Sequence, residues 1–543
     1  MSTPAFDLPP EVYLVGCCEG PCATSGVPSA QTMGNKAWNL LRMAQLSLPV
    51  PPAFVIGTRY SAAAGGGAPA AGRSLWSAGL HALEQATGQR LGDARRPLLL
   101  SVRSGAAVSM PGMMETLLNI GLCDATASGL LRRTGNPRLV WDAYRRLVAG
   151  YGEAVGGIPA QAFESAAAEV AGARVEADLD FAELRTITQS FLRLYAERTG
   201  RPFPQYPAEQ LGGAIAAVFG SWHAPKAREY RHLNGINDAL GTAVTVQSMV
   251  FGNAGGQSGA GVGFTRDPAT GAPGLWVDFL FDAQGEDVVS GRRSANGHEE
   301  LASVLPQVWQ ALGDAARELE QAFGDMQDFE FTVQEGRLYL LQSRAGKRTR
   351  RAAARIALDL LDEGGIGAAL ALERTHGLDR EALGQPRIVA EGGEPLVPLA
   401  RAASASSGVA AGEIALDHAR AAARNAAGTP VVLVRRDAET SDIAALELAT
   451  GLLTQRGART SHAAVVARQM GKVCLVGCAE LAIDEAARTI AIGGATLHEG
   501  ELITLDGNEG AVHAGAARVQ IDYPEELLAR LEALRRSATV TPA

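Results

Sequence analysis

Residues 452–478 read LLTQRGARTSHAAVVARQMGKVCLVGC. An apolar run ends in a tight turn, a helix begins near His462 and stops at Gly471, and a second apolar run follows. This is the strand, helix, strand pattern of an α/β layer. Thr460 or Ser461 can cap the helix, and Gly471 suits a left-handed C-terminal cap. His462 is therefore expected at a helix N-terminus. There the unsatisfied N–H groups and the positive end of the dipole would hold a dianionic phosphoryl group. The same field disfavours imidazolium, so the ring stays neutral and nucleophilic near pH 7. An isolated Ser-His-Ala is more often a simple cap or a half-buried histidine; the surrounding run is what favours chemistry.

Outward from this stretch, 543 residues suggest three or four structural units. A net charge of −9 argues against a polyanion-binding surface, so no nucleic-acid partner is expected. The opening MSTPAFDLPPEVYL has neither a basic nor an apolar leader region, and no run of ~18 apolar residues occurs, so a cytoplasmic protein with no membrane partner is expected. Cys17, Cys18 and Cys22 form a CCxxxC group without a matching His or Cys pair, and read as free thiols rather than a zinc site. Cys474 and Cys478 read as core.

Before the quoted stretch, PLLLSVRS reads as a buried strand, with Arg103 near its end. Residues 135–225 are helical by apolar spacing. TAVTVQSMVFG is a strand, and GNAGGQSGAGVGFTRDP reads as a glycine loop whose backbone could wrap phosphates through Gly259 and Gly261. It is not a Walker loop, since no GK[ST] follows. QDFEFTVQEGRLYLLQSR is a hairpin turning at Gln334, Glu335 and Gly336. It places Asp328 and Glu330 on one strand face, as suits magnesium, and Gln342 and Arg344 on one face of its partner. An amphipathic helix covers 349–363. GEPLVPLARAASASSGVAAG (393–412) reads as a linker.

Taken with GNKAWNL, SVRSGAAVSMPGMMETLLNIGL, LGTAVTVQSMVFGN, SGAGVGFTRDP, AQGEDVVSG, MQDFEFTV and LQSRAGKRT, the TSHAAVVAR run resembles the pyruvate, phosphate dikinase family. The resemblance implies an α+β and α/β multidomain fold: an ATP-grasp nucleotide-binding domain followed by a swivelling phosphohistidine β/β/α domain. Its expected parts are an ATP-grasp N-terminal subdomain (1–120), a helical subdomain (121–235), an ATP-grasp C-terminal subdomain (236–350), a helical linker region (351–395), a phosphohistidine domain (396–518) and a C-terminal helix and tail (519–543). It implies ATP as substrate, Mg²⁺ as cofactor, and His462 phosphorylated on Nε2. Lys36, Arg103 and Arg344 would contact ATP phosphates. Glu330 and Gln342 would bind magnesium, supported by Asp328 and Glu286. Residues 247–249, including Gln247 and Met249, would line the adenine side, and Arg145 or Arg146 an inorganic phosphate site. Thr460 matches a position that plant dikinases phosphorylate.

Three departures stand out. The family's GGKG is Gly34-Asn35-Lys36-Ala37, its second arginine in SVRSGAR is Ala107, and its Gly-Gly-Met before Thr-Ser-His is Gly457-Ala458-Arg459. Arg459 would pair with the phosphoryl group or a partner, or simply be solvated. The chain is also expected to lack the PEP/pyruvate barrel of the family. The expected activity is thus ATP-dependent phosphorylation of His462, with phosphate or water taking the γ-phosphate and an acceptor other than pyruvate on this chain. The alternatives are one subunit of a split dikinase with a separate PEP/pyruvate-binding chain, or a degenerate nucleotide-binding regulator.

Overall fold

The computed structural model describes residues 6–18, 26–62, 72–108, 110, 113–172, 174, 178–289, 298–389, 397–437, 442–457, 459 and 461–540. Two units emerge. The first comprises residues 1–256 and 339–344, the second 257–338 and 345–543.

The first unit is built on a five-stranded antiparallel sheet in the order Val12–Val15, Ala53–Ile56, Ala243–Ser248, Leu100–Gly105, Thr116–Ile120. Its first two strands are wholly buried, because Phe54, Ile56, Val102 and Val246 share one core with helices from 73–87 and 124–221. The helices start and stop where local chemistry dictates. Asn136 accepts the Leu139 N–H ahead of Pro137–Ala154, and Asp180 and Glu183 form a reciprocal cap at Phe181–Thr199. Gly135 and Gly200 close the preceding turns in left-handed conformation. These are the helices that apolar spacing predicts for 135–225.

The second unit begins with the antiparallel strands Gly259–Arg266, Pro273–Phe281 and Gln327–Gln334, the first lying between the other two. The segment read as a phosphate-wrapping glycine loop is thus corrected: Gly259 and Gly261 lie in a buried strand. Paired on both sides, their N–H groups belong to the ladder rather than to a phosphate. The glycines are there for packing. A Cβ on Gly259 would stand 2.1 Å from the Phe279 ring, and one on Gly261 2.4 Å from Phe331. Helix Arg350–Asp362, capped by Thr349, is found where its pattern predicts it, and Ile356, Leu358 and Leu360 share a core with Leu531 and Leu534 of Glu525–Val540. The turn before Arg337–Ala345 has positive φ at Glu335 and Gly336, as a two-residue hairpin turn requires.

The rest of this unit carries an eight-stranded sheet ordered Ala400–Arg401, Ala511–Ala514, Leu502–Asp506, Val409–Ala415, Val431–Arg435, Gly451–Thr454, Val473–Val476, Ala403–Ser406. Successive residues point to opposite faces. Val431, Leu433, Leu452 and Cys474 meet Ala421, Ala445, Ala464 and Ala467 of three helices on one face. Val432, Val434, Leu453 and Leu475 meet Leu481, Ile490 and Ile492 of a three-stranded meander on the other. The linker reading of 393–412 is corrected from residue 400 onward: 400–401, 403–406 and 409–412 are in strands. A strand at Gln385–Ile388, pairing with Val519–Asp522, also falls within the expected helical linker region. Among the described residues no helix is long and apolar enough to cross a membrane.

Candidate functional site

In the first unit, Lys36 lies in the first turn of helix Asn35–Gln45. Its position is set by a close backbone approach. Gly34, at φ +74, sits so near Gly105 that a Cβ would lie 2.1 Å from the Gly105 carbonyl oxygen. The Asn35 N–H donates to the Ala106 carbonyl at 3.0 Å, and its side-chain amide donates to the Ala107 carbonyl. Two of the three departures from the family pattern therefore touch: the asparagine replacing a glycine ties down the backbone of the alanine replacing an arginine.

Arg103 projects from Leu100–Gly105, and its Nη2 donates to Gln342 Oε1 at 3.4 Å. Lys36, Arg103, Thr245, Gln247 and Gln342 line one cleft. Gln247 is buried and donates its amide to the Pro51 carbonyl at 3.0 Å, while the Met249 N–H donates to Leu99 O at 2.8 Å. Asn39 donates to the Ser343 carbonyl at 2.8 Å, fixing the stretch that carries Gln342 and Arg344. Residues from four distant segments, at 36, 103, 247 and 342, thus converge. Arg145 and Arg146 both donate to buried Asp142, at 2.5 and 3.0 Å. Burial pushes the Asp142 carboxyl up; the guanidiniums of Arg146 and Arg145 outweigh it and hold it below the usual carboxylate range.

In the second unit, Asp328 is buried opposite Phe264 and Glu330 is half-buried opposite Val262. Among the described residues no group of three or more His, Cys, Asp or Glu could hold a metal. Glu330, in the second unit, carries a carboxylate and Gln342, in the first, an amide oxygen, each an oxygen donor of the kind magnesium takes. The side chain of Glu286 lies outside the described residues.

The backbone of His462 opens helix His462–Gln469, and Ser461 is its cap, accepting the Ala464 N–H at 3.4 Å. The His462 side chain and all of Thr460 lie outside the described residues. Arg459 is half-buried and has partners. It donates to Asp278 Oδ1 at 3.1 Å and lies over the Trp276 ring at 4.2 Å, both on strand Pro273–Phe281. Sequence reasoning passed over Arg468, which is buried beside Ala464 and Ala467. The signal was available, since 464, 467 and 468 share the buried face of a helix. Cys18, Cys123, Cys474 and Cys478 are free thiols, and the Cys17 Sγ donates to the Val15 and Ala53 carbonyls; Cys22 lies outside the described residues. Burial pushes the Cys474 thiol up to about 12, as befits a core residue.

Comparison with known proteins agrees with these segments. The profile described as pyruvate phosphate dikinase, AMP/ATP-binding domain, matches residues 76–298 and 296–364. That described as PEP-utilising enzyme, mobile domain, matches residues 428–510. The chain is 42% identical over 495 residues to pyruvate, phosphate dikinase of Clostridium symbiosum, covering 90% of this chain and 57% of that protein. It is 41% identical to pyruvate, phosphate dikinase 2 of Zea mays, covering 89% and 56%, and 42% identical to the chloroplastic pyruvate, phosphate dikinase 1 of Oryza sativa subsp. japonica, covering 89% and 52%. The chain spans about half the length of these relatives.

Proposed function

The chain belongs to the pyruvate phosphate dikinase AMP/ATP-binding domain family, and we propose that it is an ATP-dependent phosphotransferase that carries a phosphoryl group on His462. One observation carries the reading: Lys36, Arg103, Gln247 and Gln342, far apart in sequence, line a single cleft. Phosphoryl transfer needs little from a protein beyond positioning and neutralised charge. Lys36, Arg103 and Arg344 are the cations proposed for the phosphates, and 247–249 the segment proposed for the adenine side. Glu330 supplies a carboxylate and Gln342 an amide oxygen of the kind magnesium takes alongside nucleotide phosphates. Bound there, magnesium would neutralise phosphate charge; Asp328 and Glu286 are proposed as supports. In this reading residues 1–350 form the ATP-grasp part, and 396–518 the phosphohistidine domain, a sheet flanked by helices and a second small sheet.

The chemistry proposed is as follows. Nε2 of His462 attacks the β-phosphorus of ATP, the bond to the α–β bridging oxygen breaks, and AMP leaves. The γ-phosphoryl group then passes to phosphate, giving pyrophosphate, or to water, giving phosphate. One phosphoryl group remains on His462, held by the N–H groups of its helix. The expectation of an acceptor other than pyruvate finds no support in the relatives, whose names all carry pyruvate. Pyruvate is therefore one arm of the test. The full chain is incubated with ATP and magnesium, alone, with phosphate, and with phosphate and pyruvate, and nucleotides are separated by ion exchange. AMP formation that falls at least tenfold in Lys36→Ala and Arg103→Ala supports the proposal. ADP as the sole product, or AMP formation indifferent to both substitutions, sinks it.

A further inference from the structure

The second unit holds a cavity of about 680 Å³ that shares no residue with the cleft around Arg103. Arg351, Arg387, Arg459, Arg468, Ser404 and Asn508 are among its lining residues. Arginines outnumber carboxylates on its wall, and most have partners: Arg351 pairs with Asp522, Arg530 with Asp359, and Arg459 with Asp278.

Arg468 is different. It is 2% exposed, and it also lines a neighbouring cavity of about 580 Å³ with Ser406 and Ser407. Its Nε donates to the Ala405 carbonyl at 2.8 Å and its Nη2 to the Arg459 carbonyl at 3.3 Å, while Nη1 has no hydrogen-bond partner. None of these partners is a carboxylate. Burial lowers its pKa from the usual guanidinium value. The Phe264 and Trp276 rings lie 5.7 and 5.9 Å away, so the cation has aromatic backing but no hydrogen-bonded counter-ion. A buried cation on the wall of a cavity is matched by an oxyanion, and the guanidinium fork suits phosphate. The volume is of small-molecule size.

We propose that this cavity binds the phosphate group of a small phosphorylated molecule, with Arg468 as buried anchor and Arg351 and Arg387 as further cations on the wall. Isothermal titration calorimetry of the full chain, free of nucleotide and magnesium, tests it with glycerol 3-phosphate in one arm and inorganic phosphate in the other. Binding that weakens about tenfold or more in Arg468→Met, as loss of a charge-assisted contact requires, supports the site. Equal affinity for the two probes assigns it to free phosphate. Arg387→Ala, at a mostly exposed position, should weaken binding in the same direction and decides the matter if Arg468→Met does not fold. Arg103→Ala, in the other cleft, should leave the affinity for glycerol 3-phosphate as in wild type. Absence of binding of either probe, binding unaltered by both cavity substitutions, or loss of binding in Arg103→Ala would overturn the proposal.

Discussion

Substituting Gly34 by Ala should separate the two segments that place Lys36 and Arg103. The backbone at Gly34 has φ 74 and ψ 153, a region open essentially to glycine. An added Cβ would lie 2.1 Å from the Gly105 oxygen and 2.4 Å from its carbonyl carbon. Relief needs a shift of about 1 Å, because buried atoms do not approach much below ordinary van der Waals contact. Backbone strain alone costs about 1–3 kcal/mol, and a 1 Å misplacement of a binding group is worth about 100-fold in rate. Gly34→Ala should therefore lower the unfolding free energy of the first unit by about 2–3 kcal/mol, and weaken ATP binding measured by calorimetry. Gly150→Ala is the control. A Cβ there meets nothing within 4 Å, and helix propensity predicts neutral or slightly positive effect. Unchanged stability and unchanged ATP affinity in Gly34→Ala would refute the idea that this contact sets the cleft.

Three further outcomes are expected. Asp142→Asn should destabilise by about 3–5 kcal/mol at neutral pH, since it removes the buried charge that pairs with buried Arg145 and half-buried Arg146. Because the Asp142 carboxyl is held below its usual range, its contribution is present above the unfolded value near pH 4 and lost as pH falls through the folded one; urea titrations from pH 7 to 2 should show that loss in wild type and not in the variant. Arg459→Ala should cost about 1–3 kcal/mol locally, the worth of a charge-assisted hydrogen bond, read as faster amide exchange in the loop before helix His462–Gln469. Gly261→Ala should destabilise by about 1–3 kcal/mol through overpacking against Phe331, with partial rescue by Phe331→Leu; equal stability of single and double variants would contradict the packing account.

Local patterns carry much of this fold. The helices of 135–225 and 349–363 follow apolar spacing and caps, and the strands around 100, 432 and 474 follow apolar runs. What misled was small residues. ARAASASSGVAAG resembles a linker, yet these strands need small side chains. A Cβ on Gly412 would stand 2.8 Å from the Val431 backbone, and one on Gly507 2.3 Å from the Ser406 carbonyl oxygen. The glycines at 259, 261 and 263 recur with period two, which was the available sign of one strand face; the Phe279, Phe331 and Phe329 rings that lie over them come from other strands. The site residues were named from motifs, and their convergence depends on pairings no local window contains. Arg103 meets Gln342 across 239 residues of chain, and Arg459 meets Asp278 across 181.

The central claim is that ATP phosphorylates His462, and ATP labelled separately at the β and γ phosphates tests it most directly. The account predicts acid-labile label on the full chain from the β position, mapped to the peptide containing His462 and absent in His462→Ala. Label confined to the γ position, label that survives His462→Ala, or no labelling with or without phosphate would contradict it.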